Sequence, residues 1–274
     1  MPNLAYETLV VCPTNRGEAV VADLEASIAW SFDRPWHLLI VDDAGDVVRG
    51  SEGATRTVVP SSLLRDKRMS GFKAQEGIRV ALERGDRFDA VLCIDDDALC
   101  IGRGVDTWAL ELIDRRAVDL LGVQDRVSYA SQWPFWRPLF SQWAPEAAGL
   151  QPLPESVFYS AIWLSRNFVE DLYSREMLVP PAYEQWGLWP DVYISWACQA
   201  TGHYQLCWGH MDAPRPPLFH DHPDNMRKAA APWDLKSDYL LYHSTRGVPG
   251  HSEAEIRLRY AARRAAVPRT THPE

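Results

Sequence analysis

No stretch of this 274-residue chain approaches the ~18 consecutive apolar residues of a membrane span. The first residues, Met1-Pro2-Asn3-Leu4-Ala5-Tyr6-Glu7, lack both the basic and the apolar region of a secretory signal, so a cytoplasmic location is expected. Cysteine is sparse: Cys12, Cys93, Cys100, Cys198 and Cys207 are odd in number and show no CxxC spacing. That argues against a disulfide framework and a structural zinc site, and leaves buried thiols in a reducing compartment. Positive charge is in deficit, with 28 Lys and Arg against 37 Asp and Glu for a net charge of -9, so the overall field makes nucleic acid a poor main partner. There is no internal repeat and no linker that would separate two domains.

What is present begins with alternating strand and helix signals. Apolar runs predict strands at 8–12, 36–41, 57–60, 91–94, 118–123, 157–164 and 204–208. Amphipathic stretches predict helices at 18–30, 72–84, 102–116 and 192–200, a short one starting at 165–167, and a basic one at about 252–266. The alternation breaks at 128–154, which holds Trp133, Trp136 and Trp143 with little periodicity and reads as a functional loop or insertion. The segment 209–233, rich in proline and histidine, reads as an ordered loop or lid. Twelve tryptophans are many for this length, and those between Trp133 and Trp208 suit a pocket for a sugar or another flat-faced ligand. The plainer account is that they fill an irregular core.

The most telling stretch is Val91-Leu92-Cys93-Ile94-Asp95-Asp96-Asp97. A short apolar run ends in three aspartates, at the strand edge where open α/β sheets bind ligands. Three adjacent carboxylates repel one another, and a hard divalent cation is the natural counter-charge. An acidic turn between a strand and a helix is the alternative. The first strand ends at Pro13-Thr14-Asn15-Arg16-Gly17 and the second at Asp42-Asp43-Ala44-Gly45-Asp46, on what a parallel sheet makes the same edge. A basic loop with Arg65, Lys67 and Arg68 precedes Ser70-Gly71-Phe72-Lys73.

The order of these pieces resembles the GT-A glycosyltransferases, most closely the inverting enzymes of family 2. Four landmarks carry the resemblance: Val10-Val11-Cys12-Pro13-Thr14-Asn15-Arg16; Leu39-Ile40-Val41-Asp42-Asp43-Ala44-Gly45-Asp46; Ile94-Asp95-Asp96-Asp97, similar to the family's DxD motif; and Pro190-Asp191-Val192-Tyr193-Ile194-Ser195-Trp196 followed by Thr201-Gly202. The match spans about residues 7–208. It implies an α/β, Rossmann-like fold with a mostly parallel central sheet flanked by helices. It also implies one domain over 1–250, with a nucleotide-binding half to about 125 and a loop-rich acceptor half from about 126, then a basic helix and tail over 251–274.

The implied activity is metal-dependent transfer of a sugar from a nucleotide-sugar donor, expected to be UDP-linked, to a soluble hydroxyl-bearing acceptor with inversion. Mn2+ or Mg2+ would bridge the diphosphate and stabilise it as a leaving group. Asp97, with Asp95, would hold the metal, and Asp96 would face the ribose or the donor sugar. Asp43, with Asp42 a close second, would accept a hydrogen bond from the base. Thr14 and Arg16 share that edge, and Arg68 and Lys73 could reach the base or phosphates, though a solvated charged loop is an equal reading. Asp191 is the candidate general base: inversion needs a carboxylate opposite the leaving group, and a helix start favours its ionised form. An ordinary N-cap aspartate is the alternative. Pro190 stands where the family usually has a glutamate, so any acceptor contact of that residue is in question.

His220 and His222, in Phe219-His220-Asp221-His222-Pro223-Asp224, are candidates for one further metal ligand, with His243 a weaker one. Trp133, Trp136 and Trp189 are the candidate acceptor wall. The acceptor could be a small molecule, a saccharide or, less favoured by the charge, a modified DNA base. Rival functions are a sugar-phosphate nucleotidyltransferase, against which the lone glycine in the first turn argues, and an inactive GT-A binding module, against which the intact acidic positions argue.

Overall fold

The computed structural model describes residues 5–14, 18–42, 56–61, 70–96, 98–100, 104–125, 156–179, 190–210, 218–220 and 241–243. In chain order the elements are β1 (Thr8–Thr14), α1 (Glu18–Ser31), β2 (Trp36–Asp42), β3 (Arg56–Pro60), α2 (Ser70–Glu83), β4 (Ala90–Ile94), β5 (Ala98–Cys100), α3 (Val105–Arg116), β6 (Leu120–Asp125), β7 (Ser156–Ser165), α4 (Arg166–Ser174), α5 (Pro190–Ala200), β8 (Gln205–His210), β9 (Leu218–His220) and β10 (Leu241–His243).

Seven strands form one sheet in the order β3-β2-β1-β4-β7-β6-β8. The pairs β2–β3, β1–β2, β1–β4 and β6–β8 are parallel, and β7 runs antiparallel to both of its neighbours. The central strands are apolar on both faces, and successive residues point to opposite sides. Leu9, Val11, Leu39, Val41, Val91 and Cys93 face a core built with α2, α4 and α5. Val10, Cys12, Leu38, Ile40, Leu92 and Ile94 face the other, built with α1 and α3. This is the helix–sheet–helix layering that an α/β chain with a mostly parallel sheet requires. Among the described residues no helix is long and apolar enough to cross a membrane.

The second and smaller sheet is β5-β10-β9, and the sequence reading did not foresee it. The aspartate triplet was expected to lead into a helix. It leads instead into β5, and α3 starts at Val105 rather than at 102. Part of the expected loop at 209–233 is strand, since β8 continues to His210 and β9 covers Leu218–His220. The cores take up Cys12, Cys93, Cys100 and Cys198 as buried thiols outside any disulfide, and burial pushes the Cys100 thiol up to about 12. Such a group is an inert apolar filler. The expected 128–154 segment and the basic helix at 252–266 lie outside the described residues.

Helix α2 lies closest to the sheet at Gly77. A Cβ there would come within 2.6 Å of Val11 Cγ1, 2.8 Å of Val41 Cγ2 and 3.0 Å of Leu39 Cδ2. Absence of a side chain thus sets the helix–sheet distance on the strands that end at the candidate site. Gly77→Ala is expected to destabilise the fold by about 1–3 kcal/mol through overpacking, read as a lower midpoint in chemical denaturation.

Candidate metal and nucleotide site

The parallel registers bring three polar residues into a row. Thr14, the last residue of β1, pairs with Asp42, the last of β2. On the other side β1 pairs with β4 as Val11 with Cys93, and the same register carried forward sets Thr14 level with Asp96. The Thr14 hydroxyl donates to Asp96 Oδ2 at 2.6 Å, a charge-assisted bond across a separation of 82 residues. All three side chains are buried, at 4% exposure for Thr14, 3% for Asp42 and 7% for Asp96. Asp95 is partly exposed, and its carbonyl accepts the Ala98 amide at 3.0 Å, which closes the acidic turn. The turn therefore holds one carboxylate against the sheet and leaves its neighbour toward solvent.

Polar groups also gather on α2, which packs over β1 and β2. Lys73, on the first turn of the helix, is 5% exposed. Glu76 is 3% exposed and accepts the Ser61 hydroxyl at 3.1 Å, and the Ser61 amide donates to the Asp42 carbonyl at 3.0 Å. Gln75 is fully buried, and neither its amide oxygen nor its amide nitrogen has a hydrogen-bond partner among the described residues. Sequence reasoning missed Ser61, Gln75 and Glu76. A polar Gln-Glu pair on a helix reads as a solvent face, and only the spacing of Glu76 three residues beyond Lys73 hinted at a shared face.

The small sheet brings late residues of the chain to the triplet. His243 of β10 pairs with Ala98 of β5, the residue directly after Asp97, and with His220 of β9. The two histidines are thus register neighbours one position from the acidic turn. Helix α5 reaches the same edge from the other side. The strand that follows it, β8, starts with Gln205 opposite Leu120, at the opening of β6. Leu120 and Val91 both pair with Leu164, so β8 begins level with the start of β4, and α5 begins near its end. Pro190 occupies the first helical position, where its missing amide hydrogen costs nothing, and Asp191 follows it. The helix is pinned there by Ser195, whose hydroxyl accepts the Val157 amide at 3.1 Å, and by Tyr193, whose buried phenol donates to the Met177 carbonyl. Burial raises the Tyr193 pKa, so that phenol stays a donor.

Of the residues singled out from sequence, the structure brings Thr14, Asp42, Asp95 and Asp96 to one sheet edge, with Lys73 on the helix above it. For His220 and Asp191 only the backbone position is described. Arg16, Asp43, Arg68, Asp97, His222, Trp133, Trp136 and Trp189 lie outside the described residues.

No family model matches the sequence, and no curated protein is significantly similar to it. Among solved structures the chain is similar to the galactosyltransferase LgtC in complex with donor and acceptor sugar analogues, at 14% identity over 97% of this chain and 98% of that one, with a TM-score of 0.46. It is similar to mouse xyloside xylosyltransferase 1 in its apo form at 12% identity over 90% and 99% of the two chains, with a TM-score of 0.44. Similarity to the mannosyltransferase PcManGT from Pyrobaculum calidifontis, in complex with GDP-Man and Mn2+, is 15% identity over 76% of this chain, with a TM-score of 0.44. The chain spans 56% of that mannosyltransferase's length. Likeness of this degree assigns neither substrate nor reaction to this chain.

Thr14→Val is expected to cost about 1–3 kcal/mol, because it keeps the shape and leaves the buried Asp96 carboxylate short of a donor. Thr14→Ser should recover most of that loss. Equilibrium unfolding of the two variants measures the difference.

Proposed function

We infer that this chain is a metal-dependent glycosyltransferase that moves a sugar from a nucleotide-sugar donor, UDP-linked in this reading, to a soluble hydroxyl-bearing acceptor with inversion. Support comes from one juxtaposition. The ends of β1, β2 and β4 present Thr14, Asp42, Asp95 and Asp96 at one edge, and the β5–β10 pairing sets His243 beside the residue that follows Asp97. Carboxylate oxygens with an imidazole nitrogen are a donor set that suits Mn2+, and oxygens alone suit Mg2+.

In this reading Asp95 and Asp97 would hold the metal together with one late histidine, His220 or His222, with His243, whose strand pairs with β5 at Ala98, a further candidate. A divalent ion held there would supply the positive charge that makes the diphosphate a better leaving group. Asp42 and Asp43 accept from the base, and Asp96, held by Thr14, serves the ribose or donor sugar. Thr14, Arg16, Arg68 and Lys73 surround the nucleotide. Trp133, Trp136 and Trp189 form the acceptor wall. Asp191 takes the proton from the acceptor hydroxyl as its oxygen forms the new bond to the anomeric carbon. The bond from that carbon to the diphosphate breaks on the opposite face, and its electron pair leaves with the nucleoside diphosphate.

Incubation with nucleotide sugars, a panel of soluble acceptors and manganese is expected to release nucleoside diphosphate, and EDTA to stop it. Release of pyrophosphate from a nucleoside triphosphate and a sugar phosphate would replace this reading with a nucleotidyltransferase. Asp97→Ala is expected to abolish metal-dependent turnover with the melting temperature unchanged. Asp191→Asn should lower kcat by about 10²–10⁴-fold while donor affinity is retained.

A further inference from the structure

We propose that Glu76 is a positioning residue for the nucleotide, acting through Ser61 on the end of β2 at Asp42; the proposal rests on the nucleotide-sugar reading above. The β2–β3 ladder ends with Asp42 opposite Pro60, and proline has no amide hydrogen to donate. Among the described residues the last backbone tie on Asp42 from this side is therefore the Ser61 amide, 3.0 Å from the Asp42 carbonyl. Ser61 stands one residue past the strand, and its hydroxyl is fixed to Glu76 Oε2 at 3.1 Å.

Glu76 sits where α2 packs on the sheet. It neighbours Gly77, the residue that lets α2 sit directly on Val11, Val41 and Leu39, so it is anchored to the strands that end at the site. Glu76 is 3% exposed, a costly position for a charge unless it is paired or hydrogen-bonded. Arg79 lies 3.9 Å from Glu76, is 39% exposed and bonds Glu83 at 2.8 Å, so this cation approaches from the solvent side. The relay runs from helix to carboxylate, to hydroxyl, to strand end, and it holds the last residue of β2, Asp42.

The test is nucleoside diphosphate binding by calorimetry in manganese, with donor KM, acceptor KM and kcat, on the full chain and on Glu76→Ala, Glu76→Gln, Ser61→Ala and the Ser61→Ala/Glu76→Ala pair. Glu76→Ala and Ser61→Ala are each expected to raise the nucleoside diphosphate Kd and the donor KM by about tenfold, with kcat and acceptor KM within about twofold of the parent. Glu76→Gln keeps an acceptor oxygen for the serine and should bind nearly as the parent does. The double variant should be no worse than either single, because both remove one relay. Should Glu76→Ala not fold, Ser61→Ala carries the same test from a partly exposed position. If the parent binds a nucleoside diphosphate and the folded variants bind it equally well, the relay is overturned and the glycosyltransferase reading stands. Equal losses in kcat and both KM values, unrelieved by glutamine, overturn it in favour of a general structural role. If the parent binds no nucleoside diphosphate with manganese, both are overturned.

Discussion

The candidate site depends on the parallel register of β1 between β2 and β4, and on a bond that ties two of its strand ends together, Thr14 to Asp96. Parallel pairing puts strand ends side by side, so residues that terminate three separate apolar runs become neighbours without any local sequence relation. Asp42, Thr14 and Asp96 are such residues. A buried carboxylate is costly unless donors surround it, and the Thr14 hydroxyl is one donor that the register itself supplies. With Asp96 drawn inward, the backbone must turn at once, and the Ala98 amide closes that turn on Asp95. The chain thus goes from β4 into β5 rather than on into a helix, and β5 pairs with β10 in the second sheet.

The two edges of the sheet use carboxylates differently. At the edge where the parallel strands begin, carboxylates are structural ties. Asp106 accepts the amides of Asp33 and Arg34, and burial outweighs those bonds and raises its pKa. Asp119 accepts the Ser165 hydroxyl at 2.6 Å and the Tyr204 amide at 3.1 Å, which binds the starts of β6 and β8 to the end of β7. Asp86 holds Tyr6 and Arg84. Each of these is surrounded by amides, hydroxyls or a guanidinium of the chain itself. At the opposite edge the acidic residues stand consecutively, at Asp42-Asp43 and Asp95-Asp96-Asp97, a pattern that internal donors alone serve poorly because like charges crowd. Consecutive carboxylates at one strand edge are what the proposed metal site would use.

The central architecture was legible in the sequence for a definite reason. Strands such as Val10-Val11-Cys12 and Leu38-Leu39-Ile40-Val41 are apolar on both faces, and only a sheet covered on both sides has that requirement. Thr14, Asp42, Asp95 and Asp96 were legible because each ends such a run. The direction of β7 was not, since a run such as Ala161-Ile162-Trp163-Leu164 reads the same in either direction and only its partners decide. Nor were β5, β9 and β10, at three residues each, because a period of two needs a longer stretch to declare itself. Glu76 and Ser61 were missed for a third reason. Their burial is set by how closely α2 approaches the sheet, and that distance depends on Gly77 meeting Val11, Val41 and Leu39.

Helix α2 therefore serves two ends that conflict. Its sheet-facing side is as close-packed as a helix can be, with Ala74, Gly77, Ile78 and Ala81 against the central strands. Yet its first two turns bury Lys73, Gln75 and Glu76, residues that a stable core would exclude. An amide with neither atom bonded, as at Gln75, costs on the order of 1–3 kcal/mol. A fold selected only for stability would place an apolar side chain of similar size there, and the packing on the other side of the same helix shows that the chain does so readily. Departures of this kind are expected where a protein holds polar groups ready for something it binds. Buried polar groups occur elsewhere too, at Arg56 and Asp106 for example, but Lys73, Gln75 and Glu76 stand together on the helix that packs over the strands ending at Thr14 and Asp42.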